Sequence, residues 1–222
     1  MTDKTVKNDK QLQQDVIDDL RWDPSIDASK IGVAASTGVI TLTGSVPSYF
    51  QKQNTERIVK RVAGVRAVAN DIEVQLPTTT ERTDSGIATA ALNALKWSTA
   101  VPDENVILSV SKGWVTLEGS VEWNYQREAA EKAVEQLIGV KGVTNRISVS
   151  PQIKSREVKG EIKAALHRYA DLESRNIDVE SADGTVTLRG QVRSWAERKE
   201  AENAAWMAPG VTQVKNEIVV TV

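Results

Sequence analysis

One nine-residue string recurs three times in register, and a chain that repeats itself in this way folds as tandem copies of one unit. Gly38-Val-Ile-Thr-Leu-Thr-Gly-Ser-Val46 returns as Gly113-Trp-Val-Thr-Leu-Glu-Gly-Ser-Val121 and as Gly184-Thr-Val-Thr-Leu-Arg-Gly-Gln-Val192. The same offsets, 75 and 71 residues, carry Leu20 onto Leu95 and Leu166, Gly64 onto Gly139 and Gly210, and Asn70 onto Asn145 and Asn216. No insertion falls inside the aligned segments, so the four-residue difference sits in the linkers, around Gln75–Asp84 and the shorter Ser150–Ser155. The domains read from this spacing are 1–80, 81–152 and 153–222.

Each unit has the same order of elements. Leu12, Val16, Ile17 and Leu20 have helical spacing, as do Ile87, Ala91, Leu92 and Leu95, and then Val158, Ile162, Ala165 and Leu166. Thr37-Gly38, Lys112-Gly113 and Asp183-Gly184 read as two-residue hairpin turns, whose type I′ form needs positive φ at both central residues. After the turn Val39, Thr41 and Thr43 alternate with Ile40 and Leu42, so one face of the strand is packed and one is free. A second helix opens at Ser48 with Gln51 and at Ser194 with Glu197, the serine-x-x-Glu/Gln capping box, while Trp123 takes that place in the middle unit. Its apolar face runs through Ile58, Val59 and Val62, then Ala133, Val134 and Leu137, then Ala204, Ala205 and Ala208, and it stops at Gly64, Gly139 or Gly210. A last strand, Val68–Val74, Val143–Val149 or Val214–Val220, completes the unit. The fold class that follows is α+β: three tandem αββαβ units, each a three-stranded mixed sheet with two helices on one face.

Composition narrows the chemistry. The chain has no cysteine and a single histidine, His167, so disulfides, thiolate nucleophiles and paired-imidazole metal sites are ruled out. His167 has no counterpart in the other units, where Arg21 and Lys96 occupy the equivalent position, and it reads as a solvated helix residue. Basic and acidic residues balance at ten and ten over 1–80, seven and nine over 81–152, and eleven and eleven over 153–222, which leaves little long-range pull on polyanions. No nucleophile elbow, phosphate loop or recurring acid pair is present, so neither catalysis nor a cofactor or metal is expected. The polar start of the chain and the lack of an apolar run of about 18 residues predict a cytoplasmic protein without a transmembrane segment.

The repeated residues also carry a family resemblance. Gly-x-Val-x-Leu-x-Gly-x-Val is followed by Gly64-Val-Arg-Ala-Val-Ala-Asn-Asp-Ile-Glu-Val74, by Gly139-Val-Lys-Gly-Val-Thr-Asn-Arg-Ile-Ser-Val149 and by Gly210-Val-Thr-Gln-Val-Lys-Asn-Glu-Ile-Val-Val220. This pair of motifs resembles the BON domain, named for bacterial OsmY and nodulation proteins, and three copies cover nearly the whole chain. The resemblance implies the αββαβ fold, an association with osmotic and envelope stress, and binding of phospholipid surfaces, with potassium binding and protein or self-assembly as other roles. The αββ order is shared with KH domains, but there is no G-x-x-G loop between helices and no basic excess, so nucleic acid is not an expected partner.

The regular glycines and asparagines of the motifs, Gly38, Gly44, Gly64, Asn70, Gly113, Gly119, Gly139, Asn145, Gly184, Gly190, Gly210 and Asn216, read as structural. Tryptophan makes up six of the ten aromatic residues, and an indole suits a wet interface. Trp22 and Trp97 share one position at the end of the first helix, where the third unit has Arg168, so that position is expected to be half exposed. At the start of the second helix, Tyr49, Phe50, Trp123, Tyr125 and Trp195 sit beside Lys52, Arg127 and Arg198. Two readings stay open. The rings enter a lipid headgroup region while the cations meet anionic lipid. Alternatively the rings staple the helix start to the sheet, and Lys52/Glu56, Arg127/Glu131 and Arg198/Glu202 are surface pairs four residues apart.

Overall fold

The computed structural model of the 222-residue chain describes residues 8–151, 162 and 177–221. In the first unit, α1 (Asp9–Trp22) leads to the hairpin β1 (Ile31–Ser36) and β2 (Val39–Val46), then α2 (Tyr49–Val59) and β3 (Ala67–Val74). The second unit repeats this with α3 (Asp84–Trp97), β4 (Val106–Ser111), β5 (Trp114–Val121), α4 (Asn124–Glu135) and β6 (Gly142–Val149). In the third, β7 (Ile177–Ala182), β8 (Thr185–Val192), α5 (Trp195–Trp206) and β9 (Gln213–Val220) are described. The expected helix through Val158, Ala165 and Leu166, with His167 and Arg168, lies outside the described residues; Ile162 alone of it is described, helical and buried. The chain is thus α+β, with three separate three-stranded sheets.

The register is identical in all three. The first two strands pair antiparallel and the third lies parallel to the central one, with Ile31 opposite Gly44 and Leu42 opposite Asn70 in the first unit. The crossover through the second helix is what lets the last strand run parallel. At the hairpin both central residues have positive φ, 51° and 78° at Thr37 and Gly38 and 48° and 77° at Asp183 and Gly184, which is the twist a two-residue turn requires. The motif's second glycine answers a different constraint. A Cβ on Gly44 would lie 2.1 Å from the Lys30 carbonyl oxygen, and one on Gly119 would lie 2.0 Å from that of Asn105, so the central strand passes the chain entering its partner with no room for a side chain.

Periodicity decides the core. Leu12, Val16 and Leu20 of α1 pack with Ile58 and Val59 of α2 on Ile40, Leu42 and Ile72, all buried. Each such side chain contributes about 1.5–3 kcal/mol of burial. Leu92 departs from its expected place on the apolar face of α3: it is exposed, because Ile87, Ala91 and Leu95 already fill that face. The helix caps follow the sequence, Ser48 accepting from the Gln51 amide and Ser194 from that of Glu197, each at 3.2 Å. Trp123 has no side-chain acceptor to offer; Gln126 instead reaches back to accept from the Trp123 amide at 2.9 Å.

Candidate functional site

The three second helices touch one another through side chains at or near their ends. The end of α2 reaches α5, where the Lys60 ammonium lies 5.8 Å from the centroid of the Trp195 ring. The end of α5 reaches α4, where the Arg127 guanidinium stacks 5.0 Å from the ring of Trp206. The end of α4 reaches α2, where Arg57 Nη2 donates to both carboxylate oxygens of the buried Glu135 at 2.6 and 2.5 Å. Two of these contacts run end to start and the third joins the end of α4 to the last turn of α2, so the three helices close a ring of side-chain contacts. Lys60, Glu135 and Trp206 occupy one repeat position, so one site of the motif takes three different chemistries.

This ring accounts for two of the expected lipid-facing aromatics. Tyr49 is buried against the core of the second unit, and Trp195 packs against both core clusters, that of the first unit and the one shared by the second and third. Burial pushes the Tyr49 phenol up; a hydrogen bond with the Val143 backbone opposes it, Glu131 and Glu135 across the junction add to the rise, and a bond from Gln53 opposes it least. Arg198 lies 4.9 Å from the Trp195 centroid while its guanidinium donates to the carbonyls of Asn216 and Ile218 at 2.6 and 3.0 Å. Phe50, Lys52, Trp123 and Arg127 are half-buried; of the eight, only Tyr125 is exposed.

The expected pairs four residues apart are replaced by a clasp that repeats in every unit. Asn70 Nδ2 donates to Glu56 at 2.9 Å and to the Lys52 carbonyl at 3.5 Å, and its Oδ1 accepts from the Ile72 amide at 3.3 Å. Asn145 does the same with Glu131, Arg127 and Ile147, and Asn216 with Glu202, Arg198 and Ile218. The motif asparagine therefore bonds its neighbouring backbone, as expected, and also pins the second helix to the last strand. Burial would raise the Glu56 carboxyl, but hydrogen bonds from Asn70 and Lys60 outweigh it and hold the group below its ordinary value.

Two residues escaped the sequence reading altogether. Asp9 accepts from the amides of Thr37 and Gly38 at 2.8 and 3.1 Å, and Asp84 from those of Lys112 and Gly113, both at 2.8 Å. Each ties the start of the first helix to the hairpin turn, where positive φ aims two adjacent amides at one acceptor. The available signal was the same 75-residue offset, which relates Asp9 to Asp84.

The largest departure concerns the first helices. Trp22 is 90% exposed and Trp97 85%, far beyond the half exposure expected from the Arg168 replacement. Each stands at the last residue of its helix, directly after a basic residue, Arg21 or Lys96. In the first unit Trp22 borders a shallow hollow with Asp19, Pro24, Ile58 and Arg61, which leave most of the indole in water. Among the described residues no group of three or more His, Cys, Asp or Glu could hold a metal ion, and no helix is long and apolar enough to cross a membrane.

Three units with one strand order and register, ringed through their second helices, define a tandem-repeat α+β protein. The chain belongs to the BON domain family, whose model matches residues 8–75, 83–151 and 155–222. It is 33% identical to the osmotically-inducible protein Y of Escherichia coli (strain K12) over 144 residues, 61% of this chain and 71% of that protein. It is 30% identical over 117 residues, 50% of this chain and 78% of the relative, to an uncharacterized protein in the gshII 5′ region of Anaplasma centrale. Among solved structures it is similar to CdsD, a structural protein of the type III secretion system of Chlamydia trachomatis, at 14% identity and a TM-score of 0.25 over 94% of this chain and 91% of that one.

Proposed function

We propose that the chain is a non-enzymatic binding protein of the osmotic-stress response that attaches to phospholipid surfaces through the ends of its first helices. The observation that carries the reading is the exposure of Trp22 and Trp97, two indoles at one repeat position, each preceded by a cation. A large aromatic ring left in water gains about 1.5–3 kcal/mol on entering an apolar phase, and a cation near an anionic membrane adds about 1 kcal/mol. The two sites are unequal. Asp18, Asp19 and Asp23 surround Trp22 and offset Arg21, whereas Trp97 has Lys96 and the uncharged Asn93 and Ser98. Two weak anchors on one body reinforce each other when both reach the same surface. The stress role rests on the name of the Escherichia coli relative together with membership of the family.

Co-sedimentation with phosphatidylglycerol vesicles at low salt tests the reading. The unaltered protein is expected to sediment, Trp97→Ala to weaken sedimentation more than Trp22→Ala, and the double variant to abolish it. Trp123→Ala with Tyr125→Ala is expected to leave it in place. If the unaltered protein stays in the supernatant, the lipid reading fails; if only the second-helix pair matters, the helix-entrance site takes its place.

A further inference from the structure

The open sheet face of the middle unit differs from its two counterparts in a way the fold does not require. Trp114 stands on that face, with Ser111 opposite it on β4 and Gly142 opposite it on β6. A Cβ built on Gly142 would lie 2.4 Å from two carbons of the six-membered indole ring and 2.8 Å from a third. A point that close to several ring atoms at once lies against the ring's face, so the indole lies flat over Gly142. Its outer face is open, for Trp114 is 55% exposed. The next row across the three strands is Ser109, Thr116 and Thr144, three hydroxyl side chains spaced by about 4.8 Å. The row beyond holds Ile107, Glu118 and Arg146, where Arg146 Nη1 and Glu118 Oε1 stand 3.4 Å apart and neutralise each other.

The other units serve as internal controls. At the position of Trp114 over Gly142, the first unit has Val39 beside Ala67 and the third has Thr185 beside Gln213. The row of three hydroxyls becomes Ala34, Thr41 and Ala69 in one and Glu180, Thr187 and Lys215 in the other. The same sheet forms in the same register without the ring or the row, so neither is there to hold the unit together.

We propose that this face binds a neutral glycan. A pyranose has one flat face of C–H groups and a rim of hydroxyls. The C–H face matches the electron-rich face of a flat, open indole, and the rim matches serine and threonine hydroxyls that both donate and accept. The chemistry discriminates against other flat or apolar ligands. A stacked nucleotide brings phosphates that need cations, and Arg146, the one cation of these three rows, is already paired with Glu118. An acyl chain would strip water from three hydroxyls without replacing their hydrogen bonds. The site is separate from the helix ends that carry the lipid reading, so either can fail alone.

The test uses the full chain in native gels containing soluble neutral polysaccharides, with isothermal titration of cellohexaose and chitohexaose. At least one of these glycans is expected to bind. Trp114→Thr, which installs the residue of the third unit, is expected to weaken binding about tenfold or more, a loss of roughly 1.4 kcal/mol. Thr116→Val, which removes a hydroxyl and keeps the side-chain shape, is expected to weaken it less, and Trp22→Ala with Trp97→Ala to leave it unchanged. Circular dichroism separates loss of the site from loss of the fold. The proposal is overturned if none of these glycans binds at millimolar concentration, if Trp114→Thr binds as well as the unaltered chain, or if Trp114 proves to be needed for vesicle sedimentation instead.

Discussion

The junction of the first unit with the second and the junction of the third with the second use one repeat position for opposite chemistry. At the first, Glu135 is buried and answered by Arg57, a side chain still half exposed. At the other, Trp206 is buried and Arg127 lies on its ring, while Lys199 and Glu128 stand 3.2 Å apart at the rim. The cores follow the same division. The second and third units share one continuous buried cluster, whereas the first keeps its own and is joined chiefly through Tyr49, Val74 and Trp195. A buried carboxylate tolerates only a cation in the facing position, and an indole only a flat or apolar partner. The contrast teaches that units alike in fold are made unlike where they touch, and the chain order around the ring is thereby fixed.

The strongest way to break the comparison is Trp206→Ala. Removing a buried indole costs about 3–5 kcal/mol, and here the loss falls on the core shared by the second and third units. Chemical unfolding should show that pair melting early while the first unit's transition stays in place. Arg57→Ala comes next. It leaves Glu135 buried without its cation, at about 1–3 kcal/mol, and water reaching the half-exposed side limits the damage. The expected result is release of the first unit, read as a larger radius of gyration in solution scattering with the second and third units intact. Equal effects of both variants on both transitions would show that the junctions are not distinct.

How much of this was legible beforehand follows from the same contrast. What repeats and is local could be read: the hairpin at Thr37-Gly38, the cap at Ser48 and the buried stripe of Leu12, Val16 and Leu20 are consequences of spacing and residue type, whereas Asp9 on its hairpin and the glutamate of the asparagine clasp repeat too but meet partners distant in sequence. What differs between units could not be assigned in the same way. Tyr49 and Trp195 have the composition of an interfacial site, and nothing within one unit says that another unit covers them. Trp22 was expected to be half exposed because substitution by Arg168 sets only a lower limit on exposure. The ring did leave one trace, the change from Lys60 to Glu135 to Trp206 inside helices that otherwise align. A position that varies in charge and size between copies of one fold faces something that also varies.

The asparagine clasp sharpens the comparison from the other side, since it is the same in every unit. Asn70→Ala, Asn145→Ala and Asn216→Ala each remove one side chain that links helix, strand and glutamate, and each is expected to cost about 1–2 kcal/mol in its own unit. Near-equal losses, measured as shifts in the urea midpoint of each transition, would confirm that repeated residues act within units. A much larger loss at one of them would place that asparagine at a junction after all.

The smallest effect expected is an acid-dependent one at Glu56. Its carboxyl is held below the ordinary range by Asn70 and by Lys60, whose ammonium stands 2.5 Å away. A carboxyl lowered in the folded state contributes stability that is fully present above its unfolded value and is lost as the pH falls through its folded value. Glu56→Gln keeps the shape and removes the charge, so it is expected to be less stable than the parent at neutral pH by about 0.5 kcal/mol, the worth of a helical pair four residues apart. The gap should close as the pH falls through the lowered folded value, below the ordinary carboxylate range, where the parent carboxylate also becomes neutral. Lys60 also lies over Trp195, so the same substitution frees its ammonium to approach that ring and should leave the junction with the third unit unchanged. If the gap persists in acid, the contribution of Glu56 is one of shape and hydrogen bonding to Asn70 rather than charge, and the charged character of the first unit's junction rests on Arg57 and Glu135 alone.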